Sequence, residues 1–188
     1  MEQLCDSGLC CFYSQLERLV PDPPSVKQAA FQFHGVVTSV FDQAAVIPFR
    51  FPTLVAQLDE LRSHLQENSA EYREALVRLR GLVEFELRVI MRPDAPHLPS
   101  GTEYLRTKQG RDQMVRAHAS NIRQYTQEVL AGWREREIKD GRRCYALVAR
   151  SDVPMFLHMI RFVDGPVGIE TRVSGPWPAT EFISAEPQ

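Results

Sequence analysis

The sequence predicts an α+β fold with a C-terminal domain, residues 81–188, of the ferredoxin-like (split βαβ) type. Three observations lead to this prediction. Residues 82–91 alternate apolar and polar side chains, residues 102–139 read as one long amphipathic helix, and residues 144–149 form a nearly continuous apolar run. With a short helix and a last strand after them, this order favours an α+β sandwich over a Rossmann sheet.

Residues 1–80 are expected to form a smaller N-terminal α/β subdomain. The apolar positions from Cys10 to Val20 permit a short helix, which the proline-rich segment after them must end. A second helix is predicted over residues 25–40, where apolar side chains recur at spacings of three and four residues. Residues 46–53 contain two prolines, which exclude a central strand, so an edge strand or an extended segment is expected. Two leucine-striped helices complete the subdomain.

The strand predicted over residues 82–91 carries two glutamates, Glu84 and Glu86, on its polar side. On a solvent-facing side such residues keep a sheet soluble, and we expect this role for both. A pair of carboxylates on one side of a strand also raises the question of acid–base catalysis. Because a carboxylate without burial or a charged neighbour is not tuned for proton transfer, no catalytic role is assigned to them.

The helix predicted over residues 102–139 follows a proline-rich loop and is the longest element of the sequence. Its apolar stripe comprises Val115, Ile122, Tyr125, Val129 and Trp133. A helix of this length overhangs a small domain, so it should pack as a helical hairpin or offer its stripe to another chain. The basic residues near its end are expected to complement the helix dipole rather than to contact nucleic acid.

The chain is predicted to close with a short helix, a strand and a rigid aromatic segment. Ser151 or Asp152 can cap the helix, and the last strand is expected over Val167–Val173. This strand leads into Gly175-Pro176-Trp177-Pro178, where prolines fix the backbone on both sides of the indole. Trp177 is expected to close the core, as buried tryptophans usually do, with a recognition surface as the alternative.

Composition and charge are those of an ordinary soluble globular protein. The 188 residues include 22 Lys and Arg against 24 Asp and Glu, for a formal net charge of -2. Without a basic field, neither nucleic acid nor a membrane surface is expected as a partner. The sequence has no apolar run of roughly 20 residues and does not begin with a signal-peptide pattern, so a cytoplasmic protein is predicted.

Neither the cysteines nor any short motif indicates a reactive site. The four cysteines are expected to be free, reduced thiols, because cytosolic disulfides are rare and no histidine lies at zinc-finger spacing from them. Glycine-rich phosphate loops, HExxH and GxSxG are absent from the sequence. The sequence therefore predicts no enzyme, no catalytic residue, no metal site and no cofactor.

Four short segments, taken in this order, resemble a known family. They read VIPFRF over residues 46–51, GLVEF over 81–85, GTEYL over 101–105 and SGPWP over 174–178. These segments are similar to VLPFRFGT, G-x-VEW, G-x-x-YL and the terminal SGPWPPYSF of the gas vesicle protein family GvpL/GvpF. The resemblance covers about the last three quarters of the chain.

The resemblance implies a non-enzymatic role in building the gas vesicle. The expected partners are the small hydrophobic shell protein, contacted during vesicle formation or as a minor component of the wall, and other gas vesicle accessory proteins. The family implies two domains, the second with a long coiled-coil-like helix. The signature positions, which are the candidate partner contacts, are Pro48, Arg50, Phe51, Glu84, Gly101, Tyr104, Leu105, Gly175, Pro176, Trp177, Pro178 and Phe182.

The sequence departs from the family in three places, and two other functions stay open. The N-terminal region is short and bears cysteines, which implies a reduced subdomain, while Pro52 and residues 179–181 replace family residues. One alternative is a generic dimerising adaptor or scaffold, with a homodimer as one outcome, that uses the stripe of the long helix. The other is an enzyme that uses Glu84 or a cysteine, which requires a cleft with a buried titratable group.

Overall fold

The computed structural model of the chain describes residues 1–15, 23–91, 101–163 and 165–184, apart from the side chains of residues 23–25 and 101–108. Its contacts group into two compact units. The first unit is Met1–Arg80 with a short segment that begins at Phe182, and the second unit is Gly81–Glu181. The strands are β1 Glu2–Asp6, β2 Leu9–Tyr13, β3 Leu82–Met91, β4 Leu130–Ile138, β5 Gly141–Ala149 and β6 Ile169–Trp177. The helices are α1 Pro23–Phe41, α2 Leu58–Glu67, α3 Ser69–Arg78, α4 Gly101–Tyr125 and α5 Val153–Arg161.

The first unit begins with a β-hairpin, so the short helix predicted from Cys10 is wrong over β2. The hairpin forms because Ser7 and Gly8 both adopt a positive φ, the geometry of a two-residue turn whose twist matches two antiparallel strands. Burial then alternates along β2, with Leu9 and Cys11 buried and Cys10 exposed between them. This period of two was present in the sequence, but the strand is too short to stand out beside the helical pattern. Residues 16–20 of the predicted helix lie outside the described residues.

The same hairpin contains a disulfide, so the expectation of four free thiols is wrong for two of them. Cys5 lies directly opposite Cys10 in the register of β1 and β2, with 4.2 Å between the Cα atoms, and the two are bonded. Cys11 and Cys144 are free and buried. A two-residue turn is what brings the first pair together, and its type could not be read from cysteine spacing.

The hairpin packs against α2 through an apolar cluster and a polar contact. Cys11 is buried with Leu61 and Leu65 of α2. Beside them, the Asp6 carboxylate lies 3.6 Å from the Arg62 guanidinium. Residues 46–53 form no strand, so of the two expectations for this segment the edge strand is wrong. Phe51 lies with its ring centroid 5.4 Å from that of Phe33 in α1.

The second unit is a four-stranded antiparallel sheet with two helices on one face. The strand order is β4-β5-β3-β6, and the elements follow one another as β-α-β-β-α-β. Phe156 of α5 packs on Phe85 of β3 with 4.9 Å between ring centroids, and the side chains of His118 in α4 and Thr171 in β6 are hydrogen-bonded on the same face. The predicted strands at 82–91 and 144–149 and the short helix after Asp152 are confirmed.

The long helix ends at Tyr125, so its predicted extension to residue 139 is wrong. Thr126 follows it, fully buried, and donates its hydroxyl to the carbonyl of Ile122, which occupies an acceptor of the last turn. After a short 3-10 turn the chain reverses into β4, which pairs with β5 along its length. Residues 133–138 alternate in a strand-like way, but their arginines and glutamates are also good helix formers. In the described part of the chain, no helix is long and apolar enough to cross a bilayer.

Candidate functional site

The strongest candidate site lies on the face of the four-stranded sheet opposite α4 and α5, called here the second face. Alternate residues of each strand point to this face, because side chains along a strand change sides at every step. The strand registers place the following residues on it: Glu84, Glu86 and Arg88 of β3, Arg143, Tyr145 and Leu147 of β5, Arg134 and Arg136 of β4, and Arg172, Ser174 and Trp177 of β6. Arginine and glutamate dominate the set, so the second face is charged with both signs.

Glu84 is buried, which overturns its predicted position on a solvent-facing side. Only 4% of its surface is exposed, whereas Arg88 on the same side of the same strand is exposed. Its carboxylate accepts a hydrogen bond from the backbone N–H of Glu181 at 2.9 Å. Burial raises the pKa of Glu84 from 4.5 to about 7. The hydrogen bond from Glu181 favours the ionised carboxylate and so lowers the pKa, but its effect is smaller than that of burial. Alternation predicted which side Glu84 faces, but it could not predict what covers that side.

Glu181 is held to the second face by three contacts from three side chains. Besides the bond from its N–H to Glu84, its carbonyl accepts a hydrogen bond from the Arg134 guanidinium. Its carboxylate forms an ion pair with Arg136. Two of the contacts come from the ionised guanidinium groups of Arg134 and Arg136, which makes them stronger than contacts between neutral groups. Residue 181 is therefore fixed at the sheet through both its backbone and its side chain.

Around this anchor the second face carries a network of further charged pairs. The Glu86 carboxylate lies 3.4 Å from Arg143 and also pairs with Arg88. A hydrogen bond with Tyr145 raises the pKa of Arg143, and burial raises the pKa of the Tyr145 phenol. The guanidinium of Arg136 lies 5.8 Å from the centroid of the Tyr145 ring, in the range of a cation–π contact. The network holds its members in defined positions.

Three of the signature residues come together at this site. Trp177 lies opposite Glu84 in the register of β3 and β6, and Gly175 lies beside them. Gly175 has a φ of 131°, and a Cβ on it would lie 2.8 Å from the carbonyl oxygen of Glu84 and 2.9 Å from the ring of Phe85. Only glycine allows β6 to approach β3 so closely at this point.

Trp177 does not close the core, contrary to the expectation from its sequence. It ends β6, which runs four residues beyond the predicted end at Val173, and 40% of its surface is exposed. Pro178 and Ala179, directly after it, are the buried residues of this segment. The indole therefore belongs to the surface of the second face, where a partner can reach it.

The signature residues other than Glu84 and Gly175-Pro176-Trp177-Pro178 do not join this cluster. Pro48, Arg50 and Phe51 belong to the first unit, where Arg50 is exposed. Phe182 is buried and belongs to the same unit. Gly101, Tyr104 and Leu105 begin α4, and their side chains lie outside the described residues.

The predicted helix stripe does not exist as one surface. Val115 and Ile122 are buried in the core of the second unit, whereas Tyr125 at the end of α4 is exposed. Val129 lies in the 3-10 turn and Trp133 in β4, so neither is helical. A stripe that packs on its own sheet is not available for a partner helix.

Several residues of the second face were missed at the level of sequence. Arg134 and Arg136 were assigned to a helix end, and nothing indicated a role for Tyr145 or contacts for Glu181. The signal that could have found the first two is the alternation of arginine and glutamate over residues 134–137, which indicates a strand with two charged sides.

The arrangement can position a chain segment and take up a proton near neutral pH, through Glu84. Within residues 1–15, 23–91, 101–163 and 165–184, no cluster of three or more His, Cys, Asp or Glu side chains could hold a metal ion. No described contact assigns a reacting role to Glu84, whose carboxylate is occupied by the Glu181 amide. That the chain is not an enzyme stays a prediction.

Comparisons with known proteins agree with the four sequence segments. The model of the family described as gas vesicle synthesis protein GvpL/GvpF matches residues 2–184. The crystal structure of the gas vesicle protein GvpF from Anabaena sp. PCC7120 is similar with a TM-score of 0.76 and 13% sequence identity, over 97% of this chain and 85% of that one. The crystal structure of GvpF from Microcystis aeruginosa is similar with a TM-score of 0.73 and 11% identity, over 97% and 88% of the two chains. A comparison with curated proteins finds no match.

Proposed function

This chain belongs to the gas vesicle synthesis protein GvpL/GvpF family, and we propose that it helps to assemble gas vesicles by binding the small hydrophobic shell protein of the vesicle wall. The observation that carries the proposal is the family match over residues 2–184, nearly the whole chain. The two similar crystal structures, both of gas vesicle proteins, support it through their fold. The chain then acts at the gas vesicle, together with other accessory proteins.

We propose that the contact with the shell protein is made by Trp177 on the second face. A partly exposed indole on a well-ordered strand offers a large apolar surface at a low cost in conformational entropy, which is why tryptophan is common among the residues that dominate binding. Trp177 is 40% exposed, and its strand is held close to β3 at Gly175. The neighbouring charged network supplies the polar rim that such a contact needs.

The two units serve, in this proposal, as the domains 1–80 and 81–188. The β-α-β-β-α-β order and the strand order of the second unit support a ferredoxin-like, split βαβ domain. The first unit, with its two-stranded hairpin, is the reduced one.

The alternative function, an adaptor that dimerises through the long helix, requires an exposed helix stripe that the described part of the chain does not have. Val115 and Ile122 would have to leave the core of the second unit to meet a partner helix. Removing two such side chains from a core costs several kcal/mol of folding free energy, and a short contact between two helices does not offset this cost. No described contact favours this function over vesicle assembly.

The proposal is tested by co-expressing the tagged chain with the shell protein and measuring what is recovered with it. Trp177→Ala should reduce the recovered shell protein at least about tenfold, because truncating a dominant interface residue costs about 2 kcal/mol or more. Trp177→Phe should retain part of the binding, since the ring keeps an apolar surface.

The control for this experiment is Phe162→Ala in the same unit. Phe162 is 62% exposed and lies outside the four signature segments, so its removal tests the loss of any exposed aromatic ring. This variant should bind as the wild type does. Equal losses from Phe162→Ala and Trp177→Ala would reject Trp177 as the contact, and no recovery of the shell protein by the wild type would reject the proposed function.

A further inference from the structure

A second candidate binding site lies on the other side of the second unit, between the end of α4 and the beginning of β4. It is an open groove of about 440 Å³, within the usual range for ligand sites. The residues that line it are Ser120, Arg123, Gln124, Gln127, Leu130, Ala131, Gly132 and Trp133. They do not belong to the second face, and no signature segment includes them. The groove therefore requires its own explanation.

The apolar wall of the groove is held in place by its neighbours. The indole N–H of Trp133 donates to the Glu135 carboxylate at 2.7 Å, and the same carboxylate pairs with Arg142 at 3.0 Å. An aromatic ring fixed in this way loses little further freedom when a ligand covers it. Leu130 continues the apolar surface next to it.

The backbone beside Trp133 is irregular. The pairing of β4 with β5 shifts register between Leu130 and Gly132, which leaves Ala131 without a partner in the ladder. Such bulges re-aim side chains and are common next to binding sites. In addition, β4 ends the four-stranded sheet in the described part of the chain, so a peptide can approach along its outer edge.

The positive charge in the lining of the groove indicates which kind of ligand fits it. Arg123 is the one ionised residue among the eight, and none of them is acidic. The serine and the two glutamines add neutral donors and acceptors around this cation. An arginine with amide neighbours and an apolar wall suits a carboxylate that is carried next to an apolar side chain.

We propose that this groove binds an acidic peptide segment of a partner protein. A glutamate or aspartate carboxylate pairs with Arg123, and an apolar side chain two residues away, on the same face of the extended peptide, packs on Trp133 and Leu130. The glutamine side chains hydrogen-bond the peptide backbone. The proposal goes beyond vesicle assembly through Trp177, because the two sites lie on opposite faces of the sheet.

A second copy of the chain is a poor occupant of this edge. Two β4 strands that pair about a twofold axis place residues of the same sheet face opposite one another. In the register centred on Glu135, Arg134 then meets Arg136, and Glu135 meets its own copy. Like charges directly opposite each other destabilise a strand pair, so the edge disfavours self-association.

The test uses the full chain with Trp177→Phe, which leaves Trp133 as the single tryptophan reporter. A peptide in which pairs of valines alternate with pairs of glutamates, so that each face carries both, is titrated while the fluorescence of Trp133 is followed. The corresponding valine–lysine peptide has the opposite charge and the same apolar residues. We expect saturable binding of the glutamate peptide, weakened by salt, and at least tenfold weaker binding of the lysine peptide.

Arg123→Gln should weaken binding of the glutamate peptide at least tenfold, whereas the matched control Arg111→Gln should leave it unchanged. Arg111 lies on the same helix outside the groove, and both variants remove one positive charge. Equal effects of the two variants, equal binding of both peptides or no saturation at millimolar peptide would each overturn the proposal. Far-UV circular dichroism of each variant establishes that it is folded before titration.

Discussion

Replacing Glu84 by glutamine should change the pH dependence of stability in a defined direction. The folded chain raises the pKa of Glu84 from 4.5 to about 7, because the carboxyl is buried in the sheet. Between these two pH values the folded state holds the proton and the unfolded state releases it. The stability that Glu84 contributes is thus fully present below pH 4.5, falls as pH rises toward 7 and is lost above it.

The size of the effect follows from the same pKa. The difference between the Glu84 pKa of the folded state, about 7, and that of the unfolded state, 4.5, corresponds to a free energy of about 3 kcal/mol as an upper limit. Glutamine stays neutral at every pH and keeps a carbonyl oxygen that can accept the N–H of Glu181. Relative to wild type, Glu84→Gln should therefore gain up to about 3 kcal/mol in free energy of unfolding between pH 4.5 and pH 8.

The assay is urea unfolding at a series of pH values, followed by tryptophan fluorescence. The chain has two tryptophans, Trp133 and Trp177, and both lie in the second unit with Glu84, so the signal reports on the right part of the molecule. Glu128→Gln, at an exposed position, is the control and should show no such trend. A difference between wild type and Glu84→Gln that stays constant with pH, or changes in the opposite direction, would refute the reasoning.

Two further predictions concern the close approach at the signature glycine and the hairpin disulfide. Gly175→Ala should lower the free energy of unfolding by about 3 kcal/mol, since a Cβ would meet the carbonyl of Glu84 and the backbone φ is positive. Gly110→Ala, in a helix with open space around the glycine, should raise the free energy of unfolding by about 0.5–1 kcal/mol. Chemical denaturation measures both changes, and equal effects of the two variants would contradict the close approach at Gly175. Alkylation of the denatured, unreduced chain should label two of the four cysteines, and alkylation after reduction should label all four, as measured by mass spectrometry. Loss of the Cys5–Cys10 bond should lower the free energy of unfolding by about 2 kcal/mol, according to the loop-closure relation. Four labelled cysteines without reductant would contradict the disulfide.

The elements that sequence predicted correctly are those whose local pattern has one interpretation. Residues 83–89 alternate cleanly and residues 144–149 are all apolar, so strands β3 and β5 follow from the pattern alone. The prolines at 48 and 52 excluded a central strand in the same local way.

The errors arose where the structure depends on residues distant in sequence. Arginine and glutamate over 134–137 suit a helix surface as well as a strand, and pairing with β5 decides between them. In the same way, nothing near Glu84 in the sequence indicates that Glu181 will reach its carboxylate across 97 residues. The candidate site was therefore predictable in its signature residues, and its burial and charge network were not.

The proposed role in assembly is tested by vesicle formation in cells that carry the shell protein and the other gas vesicle genes but lack this chain. Pressure-sensitive light scattering of the cells measures the vesicles that form. We expect that adding the wild-type chain raises the vesicle content, that Phe162→Ala does so equally, and that Trp177→Ala does not. Vesicle content that is unchanged by the wild-type chain, or restored fully by Trp177→Ala, would contradict this expectation.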